Sequence, residues 1–165
     1  LSNLGSKISY IKNASEKDFL PANLGIGASW NKVLNEVHAV SIAVDVNKLL
    51  VPVLKGDSPD EIRAYRQKNV VESWGNSFSD LPGQLSLSAG LEYWYEQLFA
   101  VRTGYFFESA ARGNRQYFTA GVGARYNILG FNFSYLVPSG SGINQNPLSN
   151  TMRFSLLLNW NTNDR

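Results

Sequence analysis

The chain has 165 residues, with 15 lysines and arginines against 13 aspartates and glutamates, one histidine and no cysteine. A net charge of +2 lacks the clustered basic surplus of nucleic-acid-binding proteins, so we expect no nucleic-acid partner. The absence of cysteine excludes disulfide scaffolds and thiolate metal sites, and one histidine excludes a three-histidine zinc site. No apolar run approaches the ~20 residues that a membrane-spanning helix needs.

Alternation of apolar and polar residues is the main pattern, and it predicts an all-β fold. For example, Leu24, Ile26 and Trp30 share one set of alternate positions, and the intervening positions are polar or glycine. The predicted strands, eight in all, lie around 5–12, within 20–33, and over 40–46, 84–96, 99–108, 118–126, 131–137 and 151–160. A strand of ~11 residues tilted at ~40° rises roughly 27 Å, close to the ~25 Å apolar band of an outer-membrane barrel.

The polar positions of these strands are mostly Gly, Ser, Asn and Thr, with single charges in mid-strand. The solvent face of a soluble sheet would be rich in Lys and Glu, but no lysine follows Lys68. We therefore predict a transmembrane antiparallel β-barrel with its polar face inward. The charged residues of that face are expected to form a lumen network, either structural or part of a solute path; they are Asp45, Glu92, Arg102, Arg125 and Arg153.

Long and short connections alternate along the chain, as in outer-membrane barrels with short periplasmic turns and longer extracellular loops. Because the last strand ends on the side of the short turns, this alternation places the C-terminus in the periplasm, in a multi-pass protein of the bacterial outer membrane. Four aromatic residues at apolar positions lie close to the short turns or the end of the last strand. They predict an interfacial aromatic belt; they are Trp30, Tyr95, Tyr126 and Trp160.

The connection over 50–83 is long for a simple connector and is expected to be an extracellular, partly helical loop. Ser58, Pro59 and the acids that follow are typical of a helix start, and Gly75-Asn76 is a suitable end. The loop either packs over the barrel mouth or docks a partner protein. The candidate contact residues are Ile62, Tyr65, Trp74 and Phe78.

No catalytic motif is present in the chain. It contains no GxSxG or Walker A sequence, and the acidic residues of the long loop lack the spacing of an EF-hand. We therefore predict that the protein is not an enzyme and has no cofactor or metal site.

Three segments carry a family resemblance: Asp45 to Pro52, Phe78 to Gly83, and Glu92 to Gly104. With the rest of the chain they resemble the C-terminal part of the PorV (LptO) family, outer-membrane proteins of the Bacteroidetes type IX secretion system. The resemblance implies a FadL-like barrel of about fourteen strands, of which residues 1–165 form the C-terminal part as one domain or part of one.

The resemblance also implies a function. Such proteins are not enzymes; they bind a very large translocon barrel (SprA/Sov-like) and shuttle cargo, recognised by its C-terminal signal domain, to the surface attachment machinery. Two alternatives stay open from the residues: a FadL-like transporter or channel for hydrophobic or small solutes, and a complete eight-stranded structural barrel.

Overall fold

The computed structural model describes residues 1–9, 17–52, 56, 58–80, 82–110, 113–139 and 150–160. The described fold is mostly β, as predicted, with two short helices between the second and third strands. The strands are β1 (Asn23–Val33), β2 (His38–Leu49), β3 (Leu85–Tyr95), β4 (Phe99–Glu108), β5 (Gln116–Tyr126), β6 (Leu129–Pro138) and β7 (Met152–Leu158); the helices are α1 (Pro59–Gln67) and α2 (Val70–Asn76). Two short 3-10 turns, Ser77–Asp80 and Pro82–Gln84, follow α2.

The seven strands form one antiparallel sheet in sequence order, from β1 at one edge to β7 at the other. The predicted closed barrel is not present in the described residues, because β1 and β7 do not pair. The predicted strand around 5–12 is wrong over its described part, 5–9. The segment contributes only an isolated bridge, Ile8 with Asp18, while residues 10–12 lie outside the described residues.

Short turns join β1 to β2, β3 to β4 and β5 to β6, at the positions where the sequence predicts them. Asn35 Oδ1 accepts hydrogen bonds from the backbone N–H groups of Val37 and His38 at 3.0 and 2.8 Å, which closes the first turn. The third turn uses Asn127 at φ 52°, a left-handed conformation that asparagine tolerates better than most residues. These local geometries hold adjacent strands in register.

The two faces of the sheet differ in chemistry, as the alternation predicts. The apolar positions lie on an exposed face, where Phe154, Leu156 and Tyr126 are 67%, 69% and 78% exposed. The buried hydrophobic residues among those described are few: Ala22, Leu50, Val51 and Ala100. The described sheet therefore has little apolar core of its own. Its large apolar side chains instead face the medium around the protein.

The chain divides into two compact units. The first comprises Leu1–Ile26, Val46–Ser86 and Ser109–Arg112; the second comprises Gly27–Asp45, Leu87–Glu108 and Gly113–Arg165. Within the first unit, buried Lys48 connects β2 to the segment after α2. Its Nζ donates to the Ser77 carbonyl at 2.8 Å and to Gln84 Oε1 at 2.9 Å, and it lies 5.2 Å from the Phe78 ring centroid.

Helix α1 begins where the sequence predicts, at a capping box in which the Ser58 hydroxyl accepts from the Glu61 N–H. The sequence predicts one helix ending near Gly75, but the helix stops at Gln67. Asn69 then caps α2 by accepting from the Val71 N–H at 2.9 Å. Lys7 Nζ also donates to the carbonyls of Arg66 and Lys68, which satisfies acceptors at the end of α1.

Both helices are short. None of the helices in the described part of the chain has the length and apolar character to cross a bilayer.

Candidate functional site: the polar face of the sheet

The polar face of the second unit is ordered by the strand register into rows that run across β4 to β7. Antiparallel pairing places Arg102 opposite Gly121, Gly121 opposite Ser134, and Ser134 opposite Arg153. The neighbouring row toward the short turns contains Ala100, Gly123, Asn132 and Ser155. Glycine and serine between larger polar residues leave room above the middle strands.

This face lines a cavity of about 760 Å³, which lies entirely within the second unit. The volume is typical of small-molecule sites. Its wall combines Gly, Ser, Thr and Asn with four charged residues, with aliphatic residues such as Ile42 and Leu91, and with aromatic rings that include Phe106 and Tyr117 toward the long connections. The charged residues are Asp45, Glu92, Arg102 and Arg153.

Glu92 is the centre of the charge network. One carboxylate oxygen, Oε1, accepts from the indole Nε1 of Trp94 at 2.6 Å, and the other, Oε2, accepts from Nε of Arg102. Both side chains of the ion pair are about one-third exposed. The pair joins β3 to β4 as the sequence predicts for opposite charges on neighbouring strands.

Arg102 extends the network across β5 to β6. Its Nη1 donates to Asn132 Oδ1 at 2.7 Å, and the connection passes directly over Gly123. A Cβ at position 123 would lie 2.7 Å from both the Arg102 nitrogen and the Asn132 oxygen. A side chain at this position would push the ends of Arg102 and Asn132 aside, so their contact depends on glycine.

Trp94 joins a second arginine to the network. The guanidinium carbon of Arg125 lies 4.6 Å from the indole centroid, and that of Arg102 lies 5.3 Å from it. Such cation–π contacts contribute roughly 0.5–1 kcal/mol at exposed sites and more when they are shielded from water. Thus one tryptophan contacts both arginines and hydrogen-bonds the carboxylate between them.

The structure brings together three of the five residues predicted as a network: Glu92, Arg102 and Arg125. Asp45 and Arg153 line the same cavity, but neither makes a hydrogen bond or ion pair with a described residue. The function of all five stays a prediction.

Sequence reasoning missed Trp94, Asn132 and Gly123 as members of this network. Trp94 had a usable signal, since it is the one large aromatic that breaks the apolar alternation of its strand and shares the side of Glu92. Asn132 and Gly123 had none, because their roles depend on the register of three strands.

At the other end of the polar face, toward the long connections, a second ion pair closes the end of β4. Arg115 donates to both carboxylate oxygens of Glu108 at 2.6 and 2.7 Å, and the Glu108 side chain is 4% exposed. The rings of Phe106 and Tyr117 stack beside it with centroids 4.9 Å apart. This end of the polar face therefore combines an ion pair with two stacked aromatic rings.

The predicted aromatic belt residues are all exposed, at apolar positions close to the short turns or the end of β7. The exposed fractions are 53% for Trp30, 42% for Tyr95, 78% for Tyr126 and 76% for Trp160. Their role at a membrane interface stays a prediction.

The predicted contact residues of the 50–83 connection differ in their surroundings within the first unit. Tyr65 packs edge-on against Phe19 at 5.2 Å, and the adjacent Arg66 pairs with Asp18 at 2.9 Å. Burial, together with the negative charge of Asp18, raises the pKa of the Tyr65 hydroxyl above its ordinary value. Phe78 is 48% exposed; Ile62 and Trp74 are half-buried.

The described residues contain no group of three or more His, Cys, Asp or Glu side chains that could hold a metal ion. The chemistry available on the polar face is instead hydrogen bonding and charge recognition by guanidinium, amide and hydroxyl groups.

Comparison of the sequence with models of known protein families gives a match. Residues 1–56, about a third of the chain, match the family model described as type IX secretion system protein PorV. This is the PorV family that the sequence resembles. The PorV match includes the segment Asp45 to Pro52, whereas the segments after residue 56 lie outside it. No curated protein matches the chain.

Proteins of the PorV family have a role in the type IX secretion system and are associated with the outer membrane. The PorV family is a secretion component and is not known as an enzyme.

Proposed function

We propose that this protein is an outer-membrane β-barrel component of the type IX secretion system that binds the translocon and shuttles cargo. The translocon would be a large SprA/Sov-like barrel, and the cargo would be recognised by its C-terminal signal domain and passed to the surface attachment machinery. The observation that carries this proposal is the PorV match over residues 1–56.

The two faces of the sheet support the barrel part of the proposal. An exposed apolar face and an inward polar cavity are the arrangement that a β-sheet needs between lipid and water. A large exposed apolar surface is rare on a soluble monomer. We therefore assign the apolar face to the lipid bilayer, the short turns and C-terminus to the periplasm, and the 50–83 connection to the cell surface.

The geometry of the first unit narrows where a partner protein would bind. Tyr65 is engaged by Phe19, so it is a poor candidate for a partner contact. Phe78 and Val71, which are 48% and 69% exposed, offer apolar surface on the same connection. We place the translocon contact at these two residues; Ile62 and Trp74, which are half-buried, are the other apolar candidates on this connection.

A second candidate function is favoured by one observation, the cavity of about 760 Å³ on the polar face. It suits a FadL-like transporter of hydrophobic or small solutes. The charged network of Glu92, Arg102 and Asn132 in the cavity wall favours a polar solute over a hydrophobic one, because an apolar ligand would strip water from these groups.

The proposal is tested by mild-detergent purification of the protein from outer membranes, followed by mass spectrometry of what accompanies it. We expect a very large barrel protein and secreted proteins that share a C-terminal domain. Phe78→Ser should reduce recovery of the large barrel, whereas Ser79→Ala, at its exposed neighbour, should not. Recovery of the protein alone, without either partner, would contradict the shuttle function.

A further inference from the structure

We propose that the polar face binds a phosphate group, either a free anion or a lipid headgroup, between Arg102 and Arg153. This inference goes beyond the secretion role and does not depend on it. It depends on the row in which Arg102, Gly121, Ser134 and Arg153 are successive cross-strand partners.

The space between the two arginines is open. Neighbouring strands are ~4.8 Å apart, so three strand spacings separate the Cα atoms of Arg102 and Arg153 by about 14 Å. Gly121 and Ser134 lie between them, and neither has a side chain larger than a hydroxymethyl group. Two long arginine side chains can therefore approach one small anion from opposite sides, with the Ser134 hydroxyl available beneath it.

Positive charge is concentrated on one side of the cavity wall, the side formed by β4 to β7. At the polar positions of β4 to β7, up to the Glu108–Arg115 pair, the described strands carry three arginines and no carboxylate: Arg102, Arg125 and Arg153. Glu92 on β3 neutralises one of them, and both its oxygens are already engaged, by Arg102 and Trp94. The other carboxylate of the cavity wall, Asp45, lies on β2, so the four charged residues of the wall sum to zero but the β4 to β7 side is locally positive and attracts anions.

Arg153 has the freedom that a ligand-binding residue needs. It is exposed, lines the cavity, and makes no hydrogen bond or ion pair with any residue that the structure describes. It lies on β7, where Ser134 of β6 is its cross-strand partner. Its guanidinium fork matches the geometry of phosphate and carboxylate oxygens.

Arg102 is held in place for the same task. Its Nε and Nη1 are fixed by Glu92 and Asn132, while Nη2 makes no hydrogen bond within the described residues. Holding a guanidinium in position before the ligand arrives reduces the entropy lost on binding. The pair thus combines, on the same row, one arginine held by Glu92 and Asn132 and one that makes no hydrogen bond or ion pair with a described residue.

The test is isothermal titration calorimetry on the protein purified from outer membranes in mild detergent at low salt. The probes are inorganic phosphate and dihexanoyl phosphatidic acid, with dihexanoyl glycerol as the neutral control. We expect binding of at least one anionic probe and none of the neutral one. Binding of phosphate indicates a free anion as the ligand, whereas binding of phosphatidic acid alone indicates a lipid headgroup; either outcome supports the site.

A matched pair of variants decides whether the row itself binds the anion. Arg153→Gln should weaken binding about tenfold or more, and Arg125→Gln, which removes the same charge from the same face two rows away, should weaken it less than about threefold. Arg153→Lys keeps the charge without the fork and should fall between them. Equal losses of affinity in the two glutamine variants would show that the anion responds to the overall positive charge and not to this row, which would contradict the proposed site. If neither probe binds the native protein, the proposal is wrong.

The folding of each variant and its binding to partner proteins are measured in the same detergent preparations. Heat-dependent mobility of each variant on denaturing gels reports whether the β-structure is intact. Recovery of the large translocon barrel should be unchanged by Arg153→Gln, so failure of the anion site and failure of the secretion role give different results.

Discussion

Because residue 123 is glycine, the side chain of Arg102 on β4 can pass over β5 and hydrogen-bond to Asn132 on β6. The Arg102–Asn132 contact at 2.7 Å links β4 to β6 over β5. A hydrogen bond from a charged group contributes about 1.5–3 kcal/mol to stability in typical cases. The rigidity of this part of the wall therefore depends on the smallest residue in it.

Gly123→Ala is expected to break the Arg102–Asn132 contact, because the new methyl group would lie 2.7 Å from both of its atoms. We expect a loss of about 1–3 kcal/mol in the free energy of unfolding, measured by urea denaturation of the protein in lipid vesicles. Gly90→Ala is the control on the same face, since the nearest atom to its Cβ is 3.9 Å away. Equal losses in the two variants would show that glycine removal, and not the crossing, is responsible.

Tyr65 gives a prediction about alkaline pH. Its pKa is raised in the folded protein by burial and by Asp18, so the folded state retains a proton that the unfolded state releases near pH 10. The stabilising contribution is therefore complete below about pH 10 and is lost as the pH rises through the folded pKa.

The measurement is tyrosinate absorbance as a function of pH, taken as the difference between the native protein and Tyr65→Phe. We expect a midpoint above the ordinary tyrosine value. Asp18→Asn, which removes one of the two causes, should bring it down. A midpoint at or below about 10 would show that the Phe19 contact does not shield the hydroxyl.

At the scale of single elements, β7 offers a direct test of which face meets lipid. Leu156 is on the apolar face opposite Phe131, while Ser155 is on the polar face opposite Asn132. An arginine facing lipid at mid-depth costs ~2–4 kcal/mol. Leu156→Arg should therefore reduce the amount of folded protein in the outer membrane, measured from the heat-shifted gel band, and Ser155→Arg should be tolerated better. Equal outcomes would contradict the assignment of the two faces.

The elements that sequence predicts well are those with a local cause. Alternating polarity locates seven strands, because each face of a strand meets one environment over its full length. The start of α1 is equally local, since Ser58 and Glu61 satisfy each other's backbone groups. The capping residue Asn69 marks the start of α2, but the helical spacing of Tyr65 and Trp74 obscures it.

The parts that could not be predicted depend on contacts between distant residues. The end of α1 involves Lys7, which is some sixty positions away in the chain. The segment over 5–9 has strand-like alternation, but in the described structure it contributes only an isolated bridge at Ile8. In the candidate site, the Glu92–Arg102 pair follows from neighbouring strands, whereas the bond of Arg102 to Asn132 requires the register of β4, β5 and β6.

For the molecule as a whole, the absence of cysteine makes its orientation testable with single labelling sites. Glu72 on α2 and Asn127 in the β5–β6 turn are both exposed, on connections that we assign to opposite sides of the membrane. A membrane-impermeant maleimide should label Glu72→Cys on intact cells. It should label Asn127→Cys only after the outer membrane is permeabilised. The reverse pattern would invert the topology.

The number of strands restricts how the sheet can be completed. Each antiparallel pairing reverses the chain direction, so across the seven strands of the described sheet β1 and β7 run the same way. Direct pairing of β7 with β1 would therefore be parallel. The same holds if two copies of the sheet form one barrel related by a twofold rotation axis along the barrel, because β7 of each copy would then lie beside β1 of the other. A closed barrel that is antiparallel throughout needs an odd number of strands between β7 and β1. Any segment that closes the described sheet, from this chain or from another, must therefore supply an odd number of strands, and one that supplies an even number cannot complete an antiparallel wall.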